Sequence, residues 1–161
     1  MPRLLNHDGS AAQEWLRVSD AEELQQRRLS QAEAKLLLPL DLFLADETAR
    51  GLWLSSEQDV HLIKPELARL DMVALVFAVF TDGRSFSQAR MLRDELDYRG
   101  DIRATGAFIQ DQAHYLLRCG VTSFEISDEI AMDSFKASLD DFSEHYQAAA
   151  DKSQPLFRRR A

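Results

Sequence analysis

The stretch MVALVFAVF, Met72 to Phe80, is apolar without interruption. A strand with one wet face alternates apolar and polar residues, so a run of this length with no polar position is buried on both faces. That is the signature of the middle of a parallel sheet. Parallel strands cannot be joined by a tight turn; each needs a crossover, normally a helix. The rest of the chain reads as such an alternation. EWLRV is strand-like and is followed by a charged, helix-compatible stretch from Asp20 to Lys35. LLLPL places Pro39 at a strand end or an edge. DLFLADETAR opens a helix with Asp41 as its cap, GLWLS is a strand, and KPELARLD is a short helix with Pro65 in its first turn.

Beyond Phe80 the pattern continues. Ser85 to Tyr98 reads as a helix, with Gly100 as its C-terminal glycine. DIRATGAF is a strand, Asp111 to Cys119 a helix ended by Gly120, and TSFEIS a strand; an amphipathic helix runs from about Asp133 to Gln147. The expected fold is α/β, a mostly parallel sheet with helices on both faces in flavodoxin or Rossmann-like layering. A partial βα barrel is the alternative. The short crossover predicts that 72–80 and 102–106 are parallel neighbours, or one strand apart.

At 161 residues the chain is expected to be one domain over 11–150, between flexible tails at 1–10 and 151–161, the second basic through Arg158, Arg159 and Arg160. The longest apolar run is too short to cross a bilayer, and no leader is expected. Cys119 is the single cysteine, which gives no disulfide framework and no CxxC motif, and suits a reducing cytoplasm. With a net charge of −8 the chain does not suit a nucleic-acid surface. His7, His61, His114 and His145 show no metal-binding spacing, and Asp141 with His145 reads as a surface pair.

The acidity is uneven. Between Asp82 and Gly120, Arg84, Arg90, Arg93, Arg99, Arg103 and Arg118 balance an equal number of carboxylates, and lysine is absent. Arginine is the better fork for an oxyanion. By the fold argument the turn Asp82, Gly83, Arg84, Ser85 lies at the carboxyl end of strand 72–80, where ligands of α/β sheets gather. Backbone N–H groups there, with Gly83 allowing close approach and Arg84 closing over, would hold an anion. Equally, Asp82–Gly83 is an ordinary βα turn capped by Ser85. Arg93 falls in the apolar arc formed by Phe86, Ala89, Leu92 and Leu96, and Arg103 lies within a strand. Each needs a carboxylate, carbonyls or a ligand, because an unpaired buried charge is costly. Asp82 and Asp111 are the available protein partners, so a purely structural network is the competing account. Gln112 reaches the strand ends or satisfies a loop carbonyl, while Asp111, His114 and Arg118 share a polar helix face. Cys119, at a helix C-terminus, reads as buried and structural.

The motifs DGRSFSQARMLR, YRGDIRATG and DQAHYLLRCG, in this order, resemble an uncharacterised bacterial family. Its members are labelled domains of unknown function or, by context, oxidoreductases of sulfite reduction, because they accompany the sulfite reductase haemoprotein of sulfur assimilation. The resemblance is strong over about 72–126. It covers Asp82, Gly83, Arg84, Ser87, Arg90, Arg93, Arg103, Asp111, Gln112 and Arg118; His114 and Val121 depart from the pattern. No flavin, nicotinamide or iron–sulfur signature names a cofactor.

Together these readings predict a cytoplasmic accessory of assimilatory sulfite reduction. An oxyanion or phosphate-bearing ligand would be held by Asp82, Gly83, Arg84, Ser85, Ser87, Arg93, Arg103, Asp111 and Gln112, with no metal. A non-enzymatic binding or assembly partner of the haemoprotein, with structural arginines, is the first alternative. A phosphate-handling enzyme on a partial βα barrel is the second.

Overall fold

The structure, a computed structural model, describes residues 3–139 and 149–150. Seven strands form one sheet: β1 Arg3–Asn6, β2 Leu16–Arg17, β3 Leu36–Leu38, β4 Gly51–Ser55, β5 Met72–Phe77, β6 Asp101–Gly106 and β7 Ser123–Ile126. Between them lie α1 Ala21–Ser30, α2 Leu40–Ala45, a 3-10 segment Val60–Arg69, α3 Arg84–Arg90, α4 Ala113–Arg118 and α5 Met132–Leu139. Local chemistry sets several boundaries. Asp20 accepts from the Glu23 N–H while Glu23 accepts from the Ser19 N–H, both at 2.9 Å, a reciprocal cap that starts α1. Pro39, rather than Asp41, is the residue before α2.

The strand order is β1-β7-β6-β5-β4-β3-β2. Strands β2 to β7 follow chain order and are parallel, and β1 closes the β7 edge antiparallel. The expected neighbours pair directly, Met72 with Asp101 through to Phe77 with Gly106. The sheet is curled into a half-barrel, and chain length explains why. Ala11 bridges Leu5 on the outer side of β1, and β2 begins at Leu16 on the opposite edge. Five residues reach at most about 18 Å, whereas six interstrand gaps in a flat sheet span about 29 Å. The edges must bend towards each other.

Flavodoxin or Rossmann-like layering is therefore not what forms. Those folds reverse the strand order at a switch point; here the order never reverses, so right-handed crossovers place successive helices on one face. Leu24, Phe43, Ile63, Phe86, Leu92, Leu116 and Phe135 join one core with Leu52, Val73, Leu75, Ile102 and Phe124. Edge-to-face contacts of Phe77 with Phe86 and Phe124 with Phe135, both at 5.1 Å between centroids, run through it. The other face carries a small separate cluster, Leu37, Met72 and Ala74 against Trp15 and Trp53, with no described helix.

Several elements differ from expectation. Part of the expected N-terminal tail is β1, paired from Arg3↔Ile126 to Asn6↔Ser123. Strand β5 ends at Phe77, and Val79 and Phe80 leave the sheet. After α3 the chain makes one wide π turn over Met91–Glu95, marked by a Leu96 N–H to Met91 carbonyl bond of 3.0 Å. The left-handed residue that ends it is Asp97, φ 53°, not Gly100. Gly100 is glycine for another reason: a Cβ there would stand 2.1 Å from the Tyr98 hydroxyl. Of the expected final helix, Met132–Leu139 is seen; its continuation, the Asp141–His145 pair and the basic C-terminal tail lie outside the described residues.

Candidate functional site

The parallel strands direct the loops after β4, β5 and β6 to one end of the half-barrel. There Arg84 grips Asp82 as a fork, Nε to Oδ1 at 2.9 Å and Nη2 to Oδ2 at 2.8 Å, and its backbone N–H also bonds Oδ1 at 3.1 Å. Ser56, from the loop after β4, donates to Asp82 at 2.7 Å. The Arg84 guanidinium and the Ser56 hydroxyl hold the Asp82 carboxyl well below the usual carboxylate range. Glu57 lies 3.7 Å from the other side of Arg84. Ser85 is buried and donates to the Val76 carbonyl at 3.0 Å, which anchors the start of α3 to β5. Gln112 satisfies a loop, donating to the Phe80 carbonyl at 2.9 Å and accepting from the Ile109 N–H at 3.1 Å. Asp111 is exposed beside it, and Ser87 is exposed one turn into α3.

The three candidate arginines do not converge. Arg93 sits at the opposite end of the strands and, among the described residues, bonds backbone carbonyls: Gly120 at 2.9 Å, Tyr98 at 2.7 Å and Gly100 at 2.8 Å. Gly100 and Gly120 precede β6 and β7, so Arg93 ties the two strand entries together. Burial pulls its pKa down, and it draws no carboxylate into hydrogen bonding. Arg103 points into the curl at 1 % exposure. It donates to Ser123 Oγ at 3.1 Å and to the Gln13 carbonyl at 2.7 Å, with Asp101 at 3.8 Å. Its role is to hold the segment that joins the two sheet edges. His114 also departs from expectation: it turns from the polar face to donate from Nδ1 to the Leu139 carbonyl at 3.2 Å. Cys119 is buried, and burial pushes its thiol up, as expected of a structural cysteine.

Gly83 is a predicted site residue whose identity the local fold does not demand. Its φ is −78°, open to any residue, and a Cβ there would meet nothing within 4 Å.

Sequence reasoning missed the apolar surface at this end. Val79 is 53 %, Phe80 54 %, Ile109 41 % and Tyr115 58 % exposed. Gln112 bonds both the Phe80 carbonyl and the Ile109 N–H, and Tyr115, one turn further on, packs on Phe86 at 5.1 Å. The available signal was the length of MVALVFAVF, longer than the strand the neighbours pair. Beside this surface a groove of about 340 Å³ runs between α3 with its π turn and α4, lined by Gly83, Phe86, Ser87, Met91 and Tyr115 and edged by Arg90, Asp94 and Glu95. Among the described residues, no three metal-ligating side chains gather, and no helix is long and apolar enough to cross a membrane.

Fold and surface define a class: a curled, sequentially ordered parallel α/β half-barrel with an exposed apolar surface at its strand carboxyl ends. The chain belongs to the family described as bacterial protein of unknown function (DUF934), whose model matches residues 51–157. No curated protein and no solved structure matches it.

Proposed function

We propose that the chain is a cytoplasmic accessory protein of assimilatory sulfite reduction that acts by docking, without chemistry of its own, on the sulfite reductase haemoprotein. The observation that carries docking is the exposed quartet Val79, Phe80, Ile109 and Tyr115, gathered at one end of the sheet. Large apolar side chains exposed together at one end of a folded chain suit a contact surface. The partner comes from the family resemblance alone. Co-expression with the haemoprotein and size-exclusion chromatography test it: wild type should co-elute, and Phe80→Ser with Ile109→Ser should not, while melting with it unchanged. Independent elution of wild type at high micromolar concentration sinks the reading.

A second reading, an oxyanion site at Gly83–Ser87, is favoured by the open space around Gly83 and by the 57 % exposure of the Arg84 side chain. Sulfate or phosphate would then raise the melting temperature more than chloride at matched ionic strength. Arg84→Ala should abolish that difference and leave the fold nearly as stable. Equal stabilisation of wild type and variant removes the site.

A further inference from the structure

We infer that the groove between α3 and α4 receives a cationic, apolar-anchored segment of a partner protein: one aromatic or branched side chain flanked by lysine or arginine. This rests on the docking reading above and adds the chemistry of what docks. The apolar and aromatic part of the lining is Phe86, Met91 and Tyr115. A space of about 340 Å³ suits one or two inserted side chains rather than a flat face.

The rim carries the sign. Asp94 and Glu95 edge the groove against Arg90, and next to Gly83 at its end Arg84 lies between Asp82 and Glu57. Both cations are already engaged, Arg84 on Asp82 at 2.8 Å and Arg90 on Asp94 at 2.8 Å. Glu95 faces only His61 among the described groups, at 3.3 Å, and Asp111 is exposed. Met91, Asp94 and Glu95, at i, i+3 and i+4 on the segment that follows α3, line one wall together. An incoming segment therefore meets excess negative potential around an apolar floor. That rewards Lys or Arg beside the anchor and penalises carboxylates by like-charge contact. A second copy of this chain would bring the same acidic rim against itself, and the chain as a whole carries −8. Nucleic acid is disfavoured by the same sign.

A random dodecapeptide display library panned on the immobilised full chain tests this, with enriched peptides resynthesised and titrated by fluorescence anisotropy. The expected consensus is an aromatic or leucine anchor with flanking Lys or Arg. Binding should weaken at least tenfold in Tyr115→Ser and in Glu95→Lys, and severalfold between 50 and 300 mM salt. The exposed Tyr115 and Glu95 leave the fold intact, which circular dichroism verifies. An acidic or neutral consensus, equal binding by both variants, or no enrichment at all overturns the inference. The two readings fail separately. Co-elution with the haemoprotein without a basic consensus removes only the inferred chemistry, whereas a basic consensus without co-elution removes only the named partner.

Discussion

Arg103→Met should be mild and local. Arg103 is fully enclosed, yet its loss leaves no stranded charge. Asp101 keeps bonds from Thr122 and Ser123, the latter at 2.8 Å, and its side chain is 30 % exposed. Ser123 Oγ keeps Asp101 when it loses the arginine Nε. What disappears is the charge-assisted bond to the Gln13 carbonyl, worth roughly 1.5–3 kcal/mol. Removing a buried cation recovers part of that in desolvation, and methionine keeps most of the volume. The net cost is about 1–2 kcal/mol, and Arg103→Ala, which adds a cavity, should cost about 3–4 kcal/mol. The loss should fall on the segment Gln13 closes. Amide exchange at Ala12 and Leu16, bonded to the Leu4 and Lys35 carbonyls, should rise about 5- to 30-fold. Urea melts and exchange by NMR read both quantities. Global unfolding of Arg103→Met, or unchanged exchange at those amides, would refute the clamp.

Other outcomes follow from single contacts. Asp97→Gly should stabilise by about 0.5–1 kcal/mol in urea melts, because glycine removes the left-handed penalty at φ 53°; Asp97 also forms an exposed ion pair with Arg99, and a loss would mean that this pair outweighs the backbone gain. Cys119 should react slowly with a thiol reagent at neutral pH and quickly in urea, since burial raises its thiol, and Cys119→Ala should cost about 1 kcal/mol. The Asp59 carboxylate, with Glu95 behind it, raises the His61 pKa. The stabilisation from His61 is thus full below the unfolded value of about 6.5 and lost as pH rises through the higher folded value. The melting-temperature gap between wild type and His61→Ala should close on that rise; a gap that widens instead contradicts the pairing.

Much of the sheet was legible because its determinants are local. Met72–Phe77 announced itself by its apolar run, and its parallel pairing with Asp101–Gly106 followed from the crossover between them. Arg93 was legible as a buried cation, since its place on the wheel required partners. Their nature was not, because the carbonyls of Tyr98, Gly100 and Gly120 carry no sequence signature. The π turn escaped for a similar reason: one extra residue per turn leaves the composition unchanged. Gly100 misled because glycine answers two demands, a left-handed φ and close approach, and here the second applied while Asp97 met the first. β1 escaped because a short edge strand needs little apolar periodicity when its partner β7 supplies the core residues.

The strand-end rule held for position, and the topology shapes what stands there. In an open sheet whose order reverses, two adjacent loops diverge to opposite faces and leave a crevice between them. Here β2 to β7 never reverse, so consecutive loops turn the same way and pack on one another: Ser56 reaches Asp82, and Gln112 reaches Phe80. Polar groups at the strand ends, Asp82 and Gln112 among them, thereby find partners within the protein. What this packing cannot bury is the apolar overrun of the central strand. Val79 and Phe80 are delivered past the last paired residue, Phe77, and the neighbouring Ile109 and Tyr115 extend their surface. Of the arginines that first drew notice, Arg93 ties two strand entries and Arg103 holds the closing segment, while Arg84 stays more than half exposed at the end where the apolar overrun stands.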